Sequence, residues 1–265
     1  MPVQGSALHK IIMEKFIKDL VKGSGRILKK QFNIAGTQGK SKNDVLDMVT
    51  LADLSSEKFI ISQIKNRFPK HQILSEESGD NELQSDYLWV IDPLDGTLNF
   101  ARGIPVFVSQ VAFIEKGEIM LTAVFDPIND NLFFAKKGKG AFCNGRKISC
   151  SKNSDIDASL LSMNAYADKS VTAFLDKISD FRGDSKLRVR NIGSIGMGSC
   201  DVACGKVDYL INNSGMPWDY APVYLLLKEA GCEVKNIFGK DWQLSDKTMI
   251  AGNKKLVQKV LKILN

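Results

Sequence analysis

Histidine is scarce in this chain of 265 residues, which contains only His9 and His71. Neither lies near the acidic segments described below, so the pattern argues against phosphohistidine chemistry and against a Ser-His-Asp triad. The five cysteines are an odd number and include no Cys-x-x-Cys pair. Because no histidine stands near them to complete a zinc set, we expect free thiols in a reducing cytosol.

Long apolar runs and a secretory signal are also missing. The apolar residues from Ile11 to Val21 are interrupted by charged ones such as Glu14 and Lys18, and no run approaches the length of a membrane span. The net charge is +6, but no basic run with interleaved aromatic residues accompanies it. We therefore expect a soluble, cytoplasmic protein that binds neither nucleic acid nor membrane.

A nucleotide-binding P-loop is absent as well. Gly39-Lys40-Ser41 ends like that motif, but Ile34 stands where the motif requires its first glycine. The polar stretch at residues 35–44 is predicted to be a loop.

Helical and strand-like patterns are mixed along the chain. Helices are predicted at residues 6–31, from 50–53 to 68, 173–178, 195–204, 218–230 and 254–264, and strands at 73–74, 88–91, 106–136 as a meander, 160–164, 189–192 and 207–211. Without a strict βαβ alternation, this order indicates a layered α+β or α/β fold and not a Rossmann sheet. We predict an N-terminal α+β half at residues 1–150 and a C-terminal α/β half at 151–265, packed as one compact unit.

The most informative segment runs from Trp89 to Phe100. An apolar strand leads straight into Asp92, Pro93 stiffens the backbone, and Asp95 follows three residues later, so both carboxylates can face one point. Gly96 and the next residue should open a helix, whose N–H groups favour an anion. Carboxylates suit Mg²⁺ or Mn²⁺ better than zinc. The alternative is a strand end with a capping Asp and an Asp-Gly turn.

This segment resembles the W-x-I-D-P-x-D-G-T-x-N-F signature of the inositol monophosphatase family, without a gap. Other parts of the chain resemble the family in the same order. They are Asp47 to Asp53, Ser75-Glu76-Glu77-Ser78, Phe125-Asp126-Pro127, Gly138 to Phe142, Gly193-Ser194 and Trp218-Asp219.

The resemblance implies an α-β-α-β-α layered sandwich and a magnesium-dependent phosphomonoesterase. The family's metal ligands carry over onto Glu76, Asp92, the Leu94 carbonyl, Asp95 and Asp219. Two or three Mg²⁺ ions per subunit are implied, with Mn²⁺ as a substitute. Asp47 and Thr97, helped by Glu76, are assigned to orienting and deprotonating the attacking water.

The resemblance also implies the substrate contacts. They are Asp95, Gly96, Thr97, Gly193, Ser194, Ile195, Asn212 and Asp219. Members that act on inositol usually carry a glutamate where this chain has Asn212, an uncharged residue that can both donate and accept hydrogen bonds. Inositol 1-phosphate is the favoured substrate. Fructose 1,6-bisphosphate, histidinol phosphate and a nucleotide 3′-phosphate are the alternatives.

A different class of function is a catalytically quiet scaffold or binding partner. A scaffold has no need of clustered carboxylates, so the intact acidic residues favour the enzyme. The family resemblance further implies a homodimer.

Overall fold

The computed structural model describes residues 7–32, 40–41, 48–49, 51–164, 176–177 and 188–264. The described helices with three or more residues are α1 Ala7–Gln31, α2 Leu51–Arg67, α3 Thr97–Ala101, α4 Ile195–Ala203, α5 Pro217–Glu229 and α6 Lys254–Leu264. Of these helices, none combines the length and the apolar character that a membrane span needs.

A large mixed sheet forms the first half of the chain. Its strands are β3 Gln72–Ser75, β4 Gly79–Asp80, β5 Tyr87–Asp95, β6 Val108–Glu115, β7 Glu118–Asp126, β8 Asn131–Lys136, β9 Gly140–Cys143 and β10 Arg146–Ile148. They lie in the order β10-β9-β8-β7-β6-β5-β3-β4. Only β3 and β5 run parallel among these neighbours. From β5 to β10 each strand pairs antiparallel with the next; α3 lies between β5 and β6, and short turns join the strands from β6 to β10.

A smaller sheet forms the second half. Its strands are β11 Leu160–Asn164, β12 Arg188–Arg190, β13 Tyr209–Asn212, β14 Glu233–Lys235 and β15 Met249–Gly252, in the order β12-β11-β13-β15-β14. A separate pair, β1 Lys40–Ser41 and β2 Met48–Val49, precedes α2.

Side chains that alternate along the strands build the layers. Trp89 and Ile91 of β5 pack with α1 and α2, while Val90 between them packs with α4 and α5. In the smaller sheet, Leu210 joins the α4–α5 layer and Ile211 packs against α6. The layers are therefore α1–α2, large sheet, α4–α5, small sheet and α6, which confirms the predicted α-β-α-β-α sandwich.

Most predicted elements are found within one or two residues of their predicted ends. The strand predicted at 207–211 begins later, because Val207 still belongs to the turn after α4, where its N–H donates to the Asp201 carbonyl at 3.3 Å. The helix predicted at 173–178 is described only at 176–177. Most of the loop predicted at 35–44 lies outside the described residues. The division at residue 150 stays a prediction; β10 ends at Ile148 and β11 begins at Leu160.

Candidate active site

Two acidic residues meet where β3 ends beside β5. The strands are parallel, with Ser75 opposite Ile91, so the residues that follow, Glu76 and Asp92, are neighbours. Glu76 leaves the sheet there, whereas β5 continues through Asp92 to Asp95, four residues beyond the strand predicted at 88–91. The Glu76 N–H donates to the Ile91 carbonyl at 3.3 Å. The pairing of β3 with β5 therefore brings Glu76 close to Asp92.

A β-bulge turns the second aspartate of β5 toward the first. Asp92 lies opposite Gln110 of β6 and Asp95 lies opposite Val108, so three steps along β5 face two along β6. The extra residue reverses the normal alternation, and Asp95 therefore lies on the same face of the sheet as Asp92. That face packs against α4 and α5.

The first turn of α5 supplies a further carboxylate. Asp219 is the third residue of this helix, and its Oδ2 accepts a 2.6 Å hydrogen bond from the Met216 N–H. A carboxylate is favourable there because the helix dipole is positive at its N-terminus. Ligand atoms of Asp92, Asp95 and Asp219 all lie within 4.8 Å of one another.

A second acidic group adjoins the first. Carboxylate oxygens of Asp53 on α2, Glu76 and Glu77 lie within 4.8 Å of one another. Burial raises the pKa of Asp92 and the charge of Glu76 raises it further, so Glu76 connects the two groups.

The pKa values of these carboxyl groups are raised. Burial raises the pKa of Glu76 to about 8, with the charges of Asp219, Glu77 and Asp95 acting in the same direction. Burial also raises the pKa of Asp219 to about 7. The pKa values of Asp92 and Asp95 are raised mainly by burial, well above the ordinary range for Asp92. Such a cluster is unfavourable when ionised, unless a cation compensates the charge.

The donor set fits a hard divalent cation. Every candidate ligand is an oxygen, from four side chains on three segments and from the Leu94 carbonyl, and neither thiol nor imidazole belongs to the two acidic groups. Oxygen-only sites of this kind suit ions such as Mg²⁺, Ca²⁺ or Mn²⁺.

Asp95 is anchored by the start of α4. Its carboxylate accepts hydrogen bonds from the Ser194 hydroxyl, from the Ile195 N–H at 3.1 Å and from the Gly196 N–H at 2.7 Å. The Gly193 N–H donates to the Asn164 side chain at 3.1 Å. The groups that donate here belong to Gly193, Ser194 and Ile195, which were predicted to contact substrate. In this structure their N–H and hydroxyl groups donate to Asn164 and Asp95.

Two other predicted substrate contacts show similar internal bonds. The Thr97 hydroxyl donates to the Leu94 carbonyl at 2.9 Å, and the Asn212 side-chain oxygen accepts from the Asn164 N–H at 3.0 Å. Gly96 adopts a φ of 97°, and a Cβ atom on it would lie 2.9 Å from the Val106 carbonyl oxygen. Glycine is therefore required at this turn.

Asp47, the predicted catalytic carboxylate, lies outside the described residues.

Two residues that hold the site were not predicted from the sequence. Gln110 donates to Asp92 at 2.9 Å. The sequence feature that could have indicated it is a glutamine within the otherwise mostly apolar strand β6. Glu57 on α2 accepts from the Glu77 and Ser78 N–H groups at 3.2 and 3.0 Å. The sequence feature that could have indicated it is an acidic residue at helical spacing from the apolar Ile60 and Ile64.

The chain is similar to known proteins in sequence and in structure. The model of the inositol monophosphatase family matches residues 12–265. The fructose-1,6-bisphosphatase/inositol-1-monophosphatase of Thermotoga maritima is 33% identical over 226 residues, covering 85% of this chain and 86% of that protein. The inositol monophosphatase of Dictyostelium discoideum is 31% identical over 266 aligned residues, covering 97% of each.

The crystal structure of extragenic suppressor protein suhB from Bartonella henselae superimposes with a TM-score of 0.88 at 28% identity. The match covers 98% of this chain and 99% of that one.

Proposed function

The chain belongs to the inositol monophosphatase family, and on that premise we propose that it hydrolyses the phosphate monoester of a small polyol or sugar, inositol 1-phosphate first among them. The protein is a phosphatase of this family, whose members depend on metal ions.

The observation that carries the proposal is the convergence of Asp92, Asp95 and Asp219 within 4.8 Å, with Glu76 close enough that its charge adds to the effect of burial in raising the pKa of Asp92. We assign these side chains and the Leu94 carbonyl as ligands of Mg²⁺, for which Mn²⁺ would substitute. Bound there, the cations would stabilise the negative charge on the phosphoryl group and on the leaving oxygen.

The chain's own residues orient the reactants. Asp92 is held at one oxygen by the Leu94 N–H at 3.1 Å and at the other by Gln110 at 2.9 Å, so its remaining lone pairs have fixed directions. Asp95 is fixed by α4 and Asp219 by the start of α5. The backbone N–H groups of Gly96 and Thr97 are our candidates for the substrate phosphate.

Proton transfer is assigned to Thr97 and Asp47, with Glu76 assisting. The Thr97 proton is directed to the Leu94 carbonyl at 2.9 Å. Its oxygen can accept a hydrogen bond from water, and it would take a proton from that water only as its own hydroxyl proton passes to the Asp47 carboxylate. Burial raises the pKa of Glu76 to about 8 in the metal-free protein, and a bound cation would lower it again, so Glu76 would assist as a carboxylate.

Fructose 1,6-bisphosphate is the second candidate substrate. The Thermotoga maritima relative carries both activities in its name, and Asn212 is buried with its side-chain oxygen bonded to the Asn164 N–H. We propose that Asn212 and the segment Gly193 to Ile195 border the substrate. A neutral amide there imposes less selection for one polyol than a charged glutamate would.

The test is phosphate release from a panel with and without Mg²⁺. The panel contains inositol 1-phosphate, fructose 1,6-bisphosphate, histidinol phosphate and adenosine 3′,5′-bisphosphate. We expect Mg²⁺-dependent release, fastest from inositol 1-phosphate. No release from any of the four would reject the enzymatic proposal and leave the scaffold role.

Asp92→Asn should abolish every one of these activities while the thermal unfolding transition is retained, because an amide binds a hard cation far more weakly than a carboxylate does. Asp241→Asn is the matched control. Asp241 is exposed and pairs with Lys235 at 2.7 Å, and it belongs to neither acidic group. Unchanged turnover in Asp92→Asn would contradict the proposed mechanism.

The homodimer stays a prediction from the resemblance, and the cytoplasmic location stays a prediction from the residue pattern of the chain. Light scattering during gel filtration checks the first and cell fractionation checks the second.

A further inference from the structure

Gln110 is a fully buried polar residue on an otherwise apolar strand face. Its neighbours on that face of β6 are Val108, Ala112 and Ile114, which pack with α4 and α5 in the central core. Burial of an uncharged amide costs free energy unless its groups are hydrogen-bonded. The contacts of this side chain explain why an amide stands there.

The amide nitrogen joins two segments of the acidic site. It donates to Asp92 Oδ2 at 2.9 Å and lies 3.4 Å from the carbonyl oxygen of Trp218, the residue before Asp219. Carboxylate and carbonyl oxygens can only accept, so the NH₂ end must face both of them. One side chain thereby connects the end of β5 to the first turn of α5.

The amide oxygen faces the start of α4. A Cβ atom on Gly196 would lie 2.8 Å from Gln110 Oε1 and 2.9 Å from Asp95 Oδ2. Glycine therefore allows α4 to approach both side chains. Among the described residues, this buried amide oxygen has no hydrogen-bond partner. Satisfying Asp92 thus takes precedence over satisfying the amide itself.

We propose that Gln110 is a positioning residue for the divalent cations, and this inference rests on the proposed function. It holds one oxygen of Asp92 while the Leu94 N–H holds the other. It also limits the distance between Asp92 and the α5 turn that carries Asp219.

A neutral donor suits this task better than a charged one. A lysine or arginine at this position would also donate to Asp92, but its charge would oppose cation binding at the same carboxylate. An amide orients the ligand and leaves its charge available. Groups of this kind, one contact removed from a metal, typically change the affinity for that metal about 10- to 100-fold when they are replaced.

The test measures Mn²⁺ binding to the metal-free protein by calorimetry, without substrate. Gln110→Met keeps the length of the side chain and removes both donors. We expect its dissociation constant for Mn²⁺ to rise about 10- to 100-fold. The Mg²⁺ concentration that gives half-maximal activity should rise in proportion, while kcat at saturating Mg²⁺ stays within a few-fold of the parent value.

Thr122→Val is the matched control. Thr122 is also buried on the neighbouring strand β7, and its hydroxyl donates to the Pro222 carbonyl of α5. The variant loses a buried hydrogen bond to the same helix but touches no acidic residue of the site. We expect it to lower the unfolding temperature and to leave Mn²⁺ affinity unchanged.

A merely structural role would give a different result. Parent-like Mn²⁺ affinity in Gln110→Met, or an equal loss in Thr122→Val, would overturn the inference. If Gln110→Met does not fold, Gln110→Asn takes its place, since it keeps an amide and shortens its reach by one methylene; parent-like affinity there also overturns it. Binding is measured without turnover, so a parent protein that releases no phosphate rejects the proposed function alone.

Discussion

At the scale of single residues, Asp95 has two tasks. Its carboxylate belongs to the acidic group with Asp92 and Asp219, and it also accepts hydrogen bonds from the start of α4. These bonds lower its pKa, whereas burial, the larger influence, raises it. A residue that anchors a helix cannot move freely, so the cation ligand that we propose is fixed by the helix that it caps.

Ser194→Ala should weaken both the start of helix α4 and the fixed position of the Asp95 carboxylate. The Ser194 hydroxyl donates to Asp95 and accepts from the Met197 N–H at 3.0 Å as the N-cap of α4. Loss of such a cap typically costs about 0.5–2 kcal/mol. We expect the free energy of unfolding in urea to fall by that amount, and kcat/KM to fall with it.

Ser194→Thr is the control for this change, because it retains a hydroxyl that can act at both positions. It should restore most of the stability and activity. Equal stability and activity of Ser194→Ala and the parent would show that the contact contributes nothing.

At the scale of elements, the site depends on how strands end. The parallel pair β3–β5 sets Glu76 beside Asp92, and the bulge between Asp92 and Asp95 sets both on one face. The turn after β3 is tied to α2 through Glu57, which also accepts from the Ser78 hydroxyl at 2.7 Å. A buried helix residue therefore supports the turn that carries Glu76.

Glu57→Ala should loosen this turn. It leaves the Glu77 and Ser78 N–H groups without their acceptor, and the net loss of one hydrogen bond typically costs about 0.5–1.5 kcal/mol. We expect a lower unfolding temperature by calorimetry and a higher Mg²⁺ requirement for activity. Lys58→Ala, at an exposed position of the same helix, is the control and should change neither quantity. A Glu57→Ala protein with parent Mg²⁺ dependence would refute the support that we assign to Glu57.

At the scale of the whole molecule, a basic chain folds around an acidic site. The net charge is +6, yet carboxylates from β5, α5 and the turn after β3 meet between the large sheet and the central helix layer. Apolar contacts on both faces of the sheet therefore bring like charges together. The repulsion between them must be relieved by protons or by cations.

Without divalent cations, the stability of the protein should fall as pH rises. The pKa of Glu76 rises from an ordinary 4.5 to about 8, and that of Asp219 from 3.8 to about 7. Between those values the folded state binds more protons than the unfolded state. The contribution of these two carboxyl groups to the free energy of unfolding is therefore fully present below pH about 4 and is lost as pH rises toward 8.

Thermal unfolding in EDTA at pH near 5 and near 8 measures this effect, and the unfolding temperature should be lower at the higher pH. Mn²⁺ should reverse the trend, because it binds the deprotonated carboxylates of the folded state. Asp92→Asn should show a smaller response to Mn²⁺. The same unfolding temperature at both pH values in EDTA would refute the raised pKa values.

Local patterns predicted much of this molecule. Helix α6 was predicted at 254–264 and observed at Lys254–Leu264, because its apolar residues recur at helical spacing. The segment from Trp89 to Phe100 indicated the family and the acidic residues, since each feature of that segment lies within a few residues of the next. Predictions of this kind need no knowledge of which elements are neighbours.

Contacts between distant segments could not be predicted in the same way. The residues alone are enough to locate the acidic side chains, the approximate ends of the main helices and the family resemblance. The packed fold was needed to show that Gln110 donates to Asp92, that Asp95 accepts hydrogen bonds from the first N–H groups of α4, and that Asp219 comes within 4.8 Å of both aspartates. The reason is that strand register, the β5 bulge and helix packing depend on burial over the whole sandwich, which no short stretch of sequence specifies.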